Sequence, residues 1–430
     1  MSDLAAPATS GAWRRVASWP RSRFWLLCAD LYPALTAAAL PWSTTAVAIF
    51  MVVWFITLLP MIDFRAFYAS LGKPAGFLPL VLVALAFLGL FWTGDTWAVR
   101  LQGFTPVAKL LAVPFLLYHF ERSQRGHWVF IAFLASCVLL MGLSWLTYFA
   151  TWKISPTGSV GIPVKNYINQ SQEFALCLLA MLPLILTLMA ESRRALAFGC
   201  TALVLGFFCN MMFVATARTV FFYLPVLLVV FAAKYLNRRL AVRFVVATAV
   251  IGLVVSFSSP YLRLRVERTV YDYRLSRDTD IATSNGERLA YWRASIRSIG
   301  EAPVFGHGTG STKQLFDHEA KGKIGEWANS IRNPHNQTLY VAIQWGVLGC
   351  FILYAMWYFH LLLFRGSELP AWIGLVLVVQ NFISSIFNSH LFDFHEGWIY
   401  VLGVGVAGGM MARARQALRP TVAPAVRRTL

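Results

Sequence analysis

About a dozen apolar runs, each near the length of a bilayer crossing, constrain this chain more than any other feature. The hydrocarbon core of a membrane offers no water to bond a free N–H or C=O, so runs of this kind fold as helices. A crossing takes about 20 mostly apolar residues. Such runs lie at about residues 24–40, 43–62, 76–93, 103–120, 127–149, 171–190, 195–214, 219–233, 241–258, 337–364, 370–388 and 397–412. They predict an all-α polytopic membrane protein with about twelve transmembrane helices. The first run is the weakest, because Asp30 and Pro33 interrupt it. Composition agrees: 58% of the 430 residues are hydrophobic and 13% charged, where a soluble domain carries about 25% charged residues.

Lys and Arg give the orientation. With the N-terminus inside, the inner segments hold clusters such as Arg14–Arg15, Arg122 and Arg125, Arg193–Arg194, Arg238–Arg239 and Arg427–Arg428. The opposite short loops hold only Arg100, Lys153, Lys165 and Arg218. This positive-inside pattern places both termini in the cytoplasm. The expected organisation is a tail at 1–23, helices one to nine within 24–258, an outer loop domain at 259–336, helices ten to twelve within 337–412, and a tail at 413–430. The net charge of +18 is accounted for by the inner loops and by contact with anionic lipid or phosphate, so nucleic acid is not an expected partner. The six cysteines lie in or beside apolar runs without CxxC spacing, which argues against a disulfide framework or a zinc cluster. The polar start lacks the apolar core of a signal peptide. No repeat of solenoid or inverted-transporter type is visible. Gly405 and Gly409 have small-xxx-small spacing, suited to close helix packing within the chain or to a dimer seam.

The long polar loop holds most of the candidate chemistry. Ser284 and Glu287 form a capping box that should start a helix at about Asn285. Leu289, Trp292 and Ile296 would give it one apolar face, and Gly300 and Pro303 would end it. Arg288 sits in its first turn; Arg is the side chain best suited to grip phosphate oxygens, although a solvated Arg reads equally well. The run Gly306–Gly310, GHGTG, can turn backbone N–H groups toward an anion or serve as a plain tight turn. Arg218 lies at the outer end of a helical hairpin and Lys109 inside the fourth run; each either meets a partner or snorkels to the interface. His335, where the loop re-enters the membrane, has the side chain most often used as a general base, with Asn333, Asn336 and Gln337 beside it. A further outer cluster, Asn388–Trp398, adds His390, His395 and Glu396, and the stretch Asn166–Gln172 adds amides. No HExxH, CxxC or paired acidic motif marks a metal site, and no nucleotide-binding motif is present, so neither metal nor cofactor is expected. Synthesis outside the cytoplasm without ATP needs an already activated donor, such as a lipid-linked pyrophosphate.

On these residues the chain resembles the O-antigen ligase/polymerase superfamily of bacterial envelope glycosyltransferases, and the O-antigen ligases most of all. The matching stretches are TARTVFFYLPVLL from Thr216, SNGERLAYWRASIRSIGEAPVFGHGTGS from Ser284, HNQTLYVAIQWGVLG from His335, and NSHLFDFHEGW from Asn388. The resemblance implies a twelve-helix fold in a bacterial inner membrane with a periplasmic loop domain. It also implies glycan transfer from undecaprenyl pyrophosphate to lipid A–core, without metal or ATP. The family's essential arginines fall on Arg218 and Arg288 and its essential histidine on His335. The chain departs from many relatives, which have Glu where Gln344 precedes Trp345 and Gly346.

Three other activities compete. An O-antigen polymerase or a protein O-oligosaccharyltransferase would use the same donor, but the first tends to have two large outer loops and the second a long C-terminal extension. An anion transporter would line a mid-membrane route with charge, whereas polarity here gathers at the outer face.

Overall fold

The computed structural model describes residues 22–154, 159–215, 217–258, 284–320 and 332–418, and the single positions 267 and 271. Among the described residues every regular element is helical. They are α1 (Arg23–Ala39), α2 (Thr44–Leu58), α3 (Phe64–Leu71), α4 (Pro74–Leu88), α5 (Trp97–Ala108), α6 (Ala112–Phe120), α7 (His127–Phe149), α8 (Tyr167–Ala190), α9 (Arg194–Phe213), α10 (Val220–Tyr235), α11 (Arg238–Ser258), α12 (Ser284–Glu301), α13 (Ser311–Ala320), α14 (Gln337–Leu363), α15 (Leu369–Ser384) and α16 (Phe394–Ala417). Short 3-10 turns extend α2 to Met61 and α4 to Phe91, and Lys109–Leu111 joins α5 to α6.

Seven of the described helical segments are long and apolar enough to cross a membrane: Thr44–Met61, Pro74–Phe91, Trp97–Phe120, His127–Phe149, Tyr167–Ala190, Arg194–Phe213 and Gln337–Leu363. Val220–Tyr235 and Leu369–Ser384 are apolar but shorter. The chain is thus an all-α, multi-pass type of membrane protein. Helices α1, α11 and α16 also coincide with apolar runs, but polar groups interrupt them: Asp30 in α1, Arg238, Arg239 and Arg243 in α11, and Glu396 and Arg413 in α16. Asp30 is tolerated because its carboxylate is buried between His119 Nε2 at 2.8 Å and Arg125 Nη1 at 3.0 Å.

Short polar side chains start several helices by accepting free N–H groups of the first turn. Asn166 caps α8 through Ile168 and Asn169, and Asn336 caps α14 through Leu339. Because of the Asn166 cap, α8 begins before its apolar run, and Gln170, Ser171, Gln172 and Glu173 are helical and buried. The glycine stripe of α16 packs against α6. A Cβ at Gly405 would lie 2.4 Å from Leu116 Cβ, and one at Gly409 2.6 Å from Phe120 Cβ, so the spacing serves packing within the chain. All six cysteines are free, with Cys137 and Cys177 buried.

Helix α14 is broken at Gly346, where φ is 61° and ψ −156°, a conformation essentially confined to glycine. The break strands backbone groups on both sides, and the loop domain satisfies them. His307 N–H donates to Ile343 O at 2.8 Å and Gly308 N–H to Gln344 O at 2.9 Å. On the other side Val347 N–H donates to Pro303 O at 2.8 Å and Leu348 N–H to Val304 O at 3.3 Å. Thr309 N–H reaches Gly89 O at 2.9 Å, and Gly310 N–H reaches Gln344 Oε1 at 2.8 Å. The Gly306 N–H is used locally on Ala302 O, and the other four N–H groups of the GHGTG turn are used on the end of α4 and on α14, which decides its two readings in favour of a structural turn. Gln344, the departure from the family pattern, is fully buried and belongs to this joint.

Helix α12 begins and ends close to where its sequence signals put it, but its buried face differs. Leu289 and Ile296 are exposed, whereas Ala294, Ser295 and Ser298 are buried, and Ala294 packs with Phe316 of α13 and Ile343 of α14. Small residues allow the closer helix–helix approach, and that selects the face over the larger apolar one.

The substitution Gly346→Ala should destabilise the protein by about 2 kcal/mol or more, because its Cβ would meet Val304 O at 2.3 Å in a backbone state alanine avoids. A lowered thermal unfolding midpoint in detergent checks this; an unchanged midpoint would mean that the break relaxes.

Candidate functional site

Polar side chains converge where the start of α8, the turn before α10, the start of α12 and the segments 333–337 and 385–396 meet. The last two segments are stitched together. Gln337 N–H donates to Ser385 O at 2.9 Å, Asn336 Nδ2 to Ile386 O at 3.0 Å, Ser389 Oγ to Asn333 Oδ1 at 2.7 Å, and Leu391 N–H to Gln337 Oε1 at 3.1 Å. Helix α12 joins them through Trp292, whose Nε1 donates to Pro334 O at 3.1 Å. Arg288 lies one helical turn before Trp292, on the same face.

His335 sits in this joint with φ at 54°, a left-handed conformation uncommon for a residue with a Cβ. Its own N–H donates to Asn333 Oδ1 at 2.9 Å, and its Nδ1 lies 2.9 Å from Asn388 Oδ1. Among the described residues its Nε2 has no hydrogen-bond partner. Burial lowers its pKa from 6.5, the positive charge of Arg288 lowers it further, and the bond to Asn388 opposes both. The ring is therefore neutral, and able to take a proton, at neutral pH.

The two arginines share one neighbourhood. Burial lowers the pKa of Arg288, and the like charge of Arg218 adds to the shift, while Tyr167 opposes it. Among the described residues no carboxylate forms an ion pair with Arg288. Two guanidiniums close enough to repel raise the positive potential of this neighbourhood.

Beside this cationic side lies a buried network that carries its own counter-charges. Lys109 does not snorkel: it is 8% exposed, and its Nζ donates to Phe392 O at 3.0 Å and Asp393 O at 2.5 Å. Gly397 makes this possible, because a Cβ there would meet Lys109 Nζ at 2.3 Å. Glu173 bonds His395 Nε2, and His395 Nδ1 lies 2.6 Å from Lys165 Nζ, which also reaches Leu40 O. Asn169 Nδ2 donates to Glu396 Oε1 at 2.5 Å, and Gln172 Nε2 lies 2.8 Å from His390 Nδ1. Burial pushes His390 down to about 4, and burial with the neighbouring Glu396 pushes Asp393 up to about 6. The lowered pKa of Lys165 likewise comes chiefly from burial.

His390, Asp393 and Glu396 are the one set among the described residues with metal-ligand reach, their ligand atoms lying within 4.8 Å of one another. No metal motif marks them in the sequence, since the three come together only through a turn and the first turn of α16. Lys109 Nζ meets this cluster through the backbone carbonyls of Phe392 and Asp393.

The structure thus brings together the three residues singled out in the sequence, Arg218, Arg288 and His335. It ties Asn333, which the sequence places beside His335, to that residue's N–H, and adds Asn388 and Glu173, which sequence reasoning did not single out individually. A usable signal existed for Glu173, an acid at the edge of an apolar run, where ionisable groups are costly unless paired. Asn388 carries no such signal, since its role depends on which side chain the fold sets opposite it.

Residues 201–355 match the family model described as O-antigen ligase, which supports membership of the O-antigen ligase superfamily. The match runs from α9 into α14 and includes Arg218, Arg288 and His335; the buried network of α8 and 385–396 lies outside it. No curated protein matches the chain.

Glu173→Ala should cost about 3 kcal/mol or more, because it leaves buried His395 without its carboxylate. The unfolding midpoint reads this loss, and Glu173→Gln should recover part of it.

Proposed function

We propose that the chain is an inverting, metal-independent glycosyltransferase that ligates O-antigen from undecaprenyl pyrophosphate onto lipid A–core. In this reading it spans a bacterial inner membrane about twelve times, keeps both termini in the cytoplasm, and works at the periplasmic face. The observation that carries the proposal is the meeting of Arg218 and Arg288 beside His335, whose Nε2 is free among the described residues. The family match supports an envelope glycan ligase or polymerase in general.

The reaction divides among these groups. Arg218 and Arg288 neutralise the donor's pyrophosphate and stabilise the charge it gains as the anomeric C–O bond breaks and the electron pair leaves with it. His335 Nε2 takes the proton from the acceptor sugar hydroxyl, whose oxygen forms the new bond from the opposite face of the anomeric carbon. The polyprenyl chain has an apolar groove available beside Arg218, between α8, α9, α10 and α11, lined by Leu178, Phe208, Phe221 and Leu224 among others. Because pyrophosphate is already a good leaving group, positioning and charge stabilisation supply more of the rate than the base does.

Four outcomes are expected. The glycosidic bond in the product should have the opposite anomeric configuration to the donor, which NMR of the ligated glycan checks; retention would overturn the mechanism. Arg288→Ala should lower kcat/KM by about 10²–10³-fold, at least as much as His335→Ala. The acid limb of the pH–rate profile should lie below 6.5 and move upward in Arg288→Gln, since removing that positive charge eases protonation of His335. In cells lacking the protein, lipopolysaccharide should lose its high-mass ladder while lipid A–core stays intact and polymer builds up on the lipid carrier. A single repeat left on the core would instead identify a polymerase.

A further inference from the structure

We propose that Asn388 is a positioning residue for the transfer, fixing the imidazole of His335 with its proton on Nδ1 so that Nε2 is the atom that receives the acceptor's proton. The inference rests on the reading of His335 as the base and adds to it which nitrogen acts, and why.

The orientation of the Asn388 amide sets the arrangement. It turns Oδ1, not Nδ2, toward His335 Nδ1 at 2.9 Å, and an amide oxygen accepts, so in this orientation Nδ1 carries the hydrogen. The other tautomer would set two acceptors against each other at that distance and occupy Nε2 with a proton before the reaction began. Neither partner can swing away easily. His335 is held in a left-handed backbone conformation by Asn333, and the segment carrying Asn388 is tied to it through Ser385, Ile386 and Ser389.

An amide suits this position better than a carboxylate. A carboxylate would also orient the ring, but it would stabilise the imidazolium and draw on the charge of Arg288, which is needed for pyrophosphate. The charged or titratable groups that face His335 are Arg288 from α12 and His390 from its own loop, and burial holds His390 neutral at pH 7. An uncharged partner therefore sets the ring without spending the site's positive charge.

The test is the pH–rate profile of the full-length enzyme in detergent or nanodiscs, with lipid-linked donor and lipid A–core, for Asn388→Leu and Asn388→Asp. Asn388→Leu should lose about 10²-fold in kcat with the donor KM within about twofold, because the nitrogen facing the acceptor is no longer specified. Asn388→Asp keeps an acceptor of the same shape, so it should retain much of kcat at high pH while its acid limb moves up by about one unit or more. A purely structural Asn388 would lower the unfolding midpoint of both variants and leave the acid limb in place. Wild-type kcat in Asn388→Leu, or an unmoved limb in Asn388→Asp, overturns the proposal. If His335→Ala is inactive while both Asn388 variants behave as wild type, only the positioning role fails. If His335→Ala stays active, the assignment of the base fails with it.

Discussion

A broken helix in an apolar environment must find partners for the N–H and C=O groups the break releases, and that requirement organises this protein. Helix α14 stops and restarts at Gly346, and the groups exposed there are met by the backbone of 303–308. The same bonds that repair the helix anchor the loop domain, so α12 cannot drift relative to the start of α14. Trp292 completes the joint by bonding Pro334, next to His335. Arg288 is brought within electrostatic reach of His335 by backbone bonds made in another part of the loop.

A second constraint is electrostatic. Buried charge is costly unless it is paired, and the described residues treat the two halves of the site differently. On one side Lys109, Lys165, Glu173, His395 and Glu396 partner one another or backbone carbonyls, which makes a neutral, rigid floor. On the other side Arg218 and Arg288 stand close enough to repel. That floor carries its own counter-charges, and residues 385–396 supply part of it while also bonding the segment that carries His335.

Much of this was legible before any coordinates. The apolar runs, the capping box of Ser284 and Glu287, and Gly300 and Pro303 at the end of α12 are local signals, and helices form where local hydrogen bonding and apolarity agree. Lys109 illustrates the limit. Its position inside an apolar run posed the right question, but the answer depended on two carbonyls at Phe392 and Asp393 and on the space left by Gly397. The buried face of α12 misled in a similar way, because Leu289 and Ile296 have helical spacing while Ala294 and Ser298 have the shape that fits.

By itself the sequence determined the helical, membrane-spanning class and the side chains that can do chemistry, since hydropathy over about 20 residues and the pKa range of a residue type are local properties. Only the tertiary structure decided which residues meet. It used the GHGTG amides on a broken helix, drew the ligand atoms of His390, Asp393 and Glu396 within 4.8 Å of one another, and set an amide oxygen against one nitrogen of His335. Those outcomes depend on distances between residues far apart in the chain, and distance is what a linear pattern of residue types does not contain.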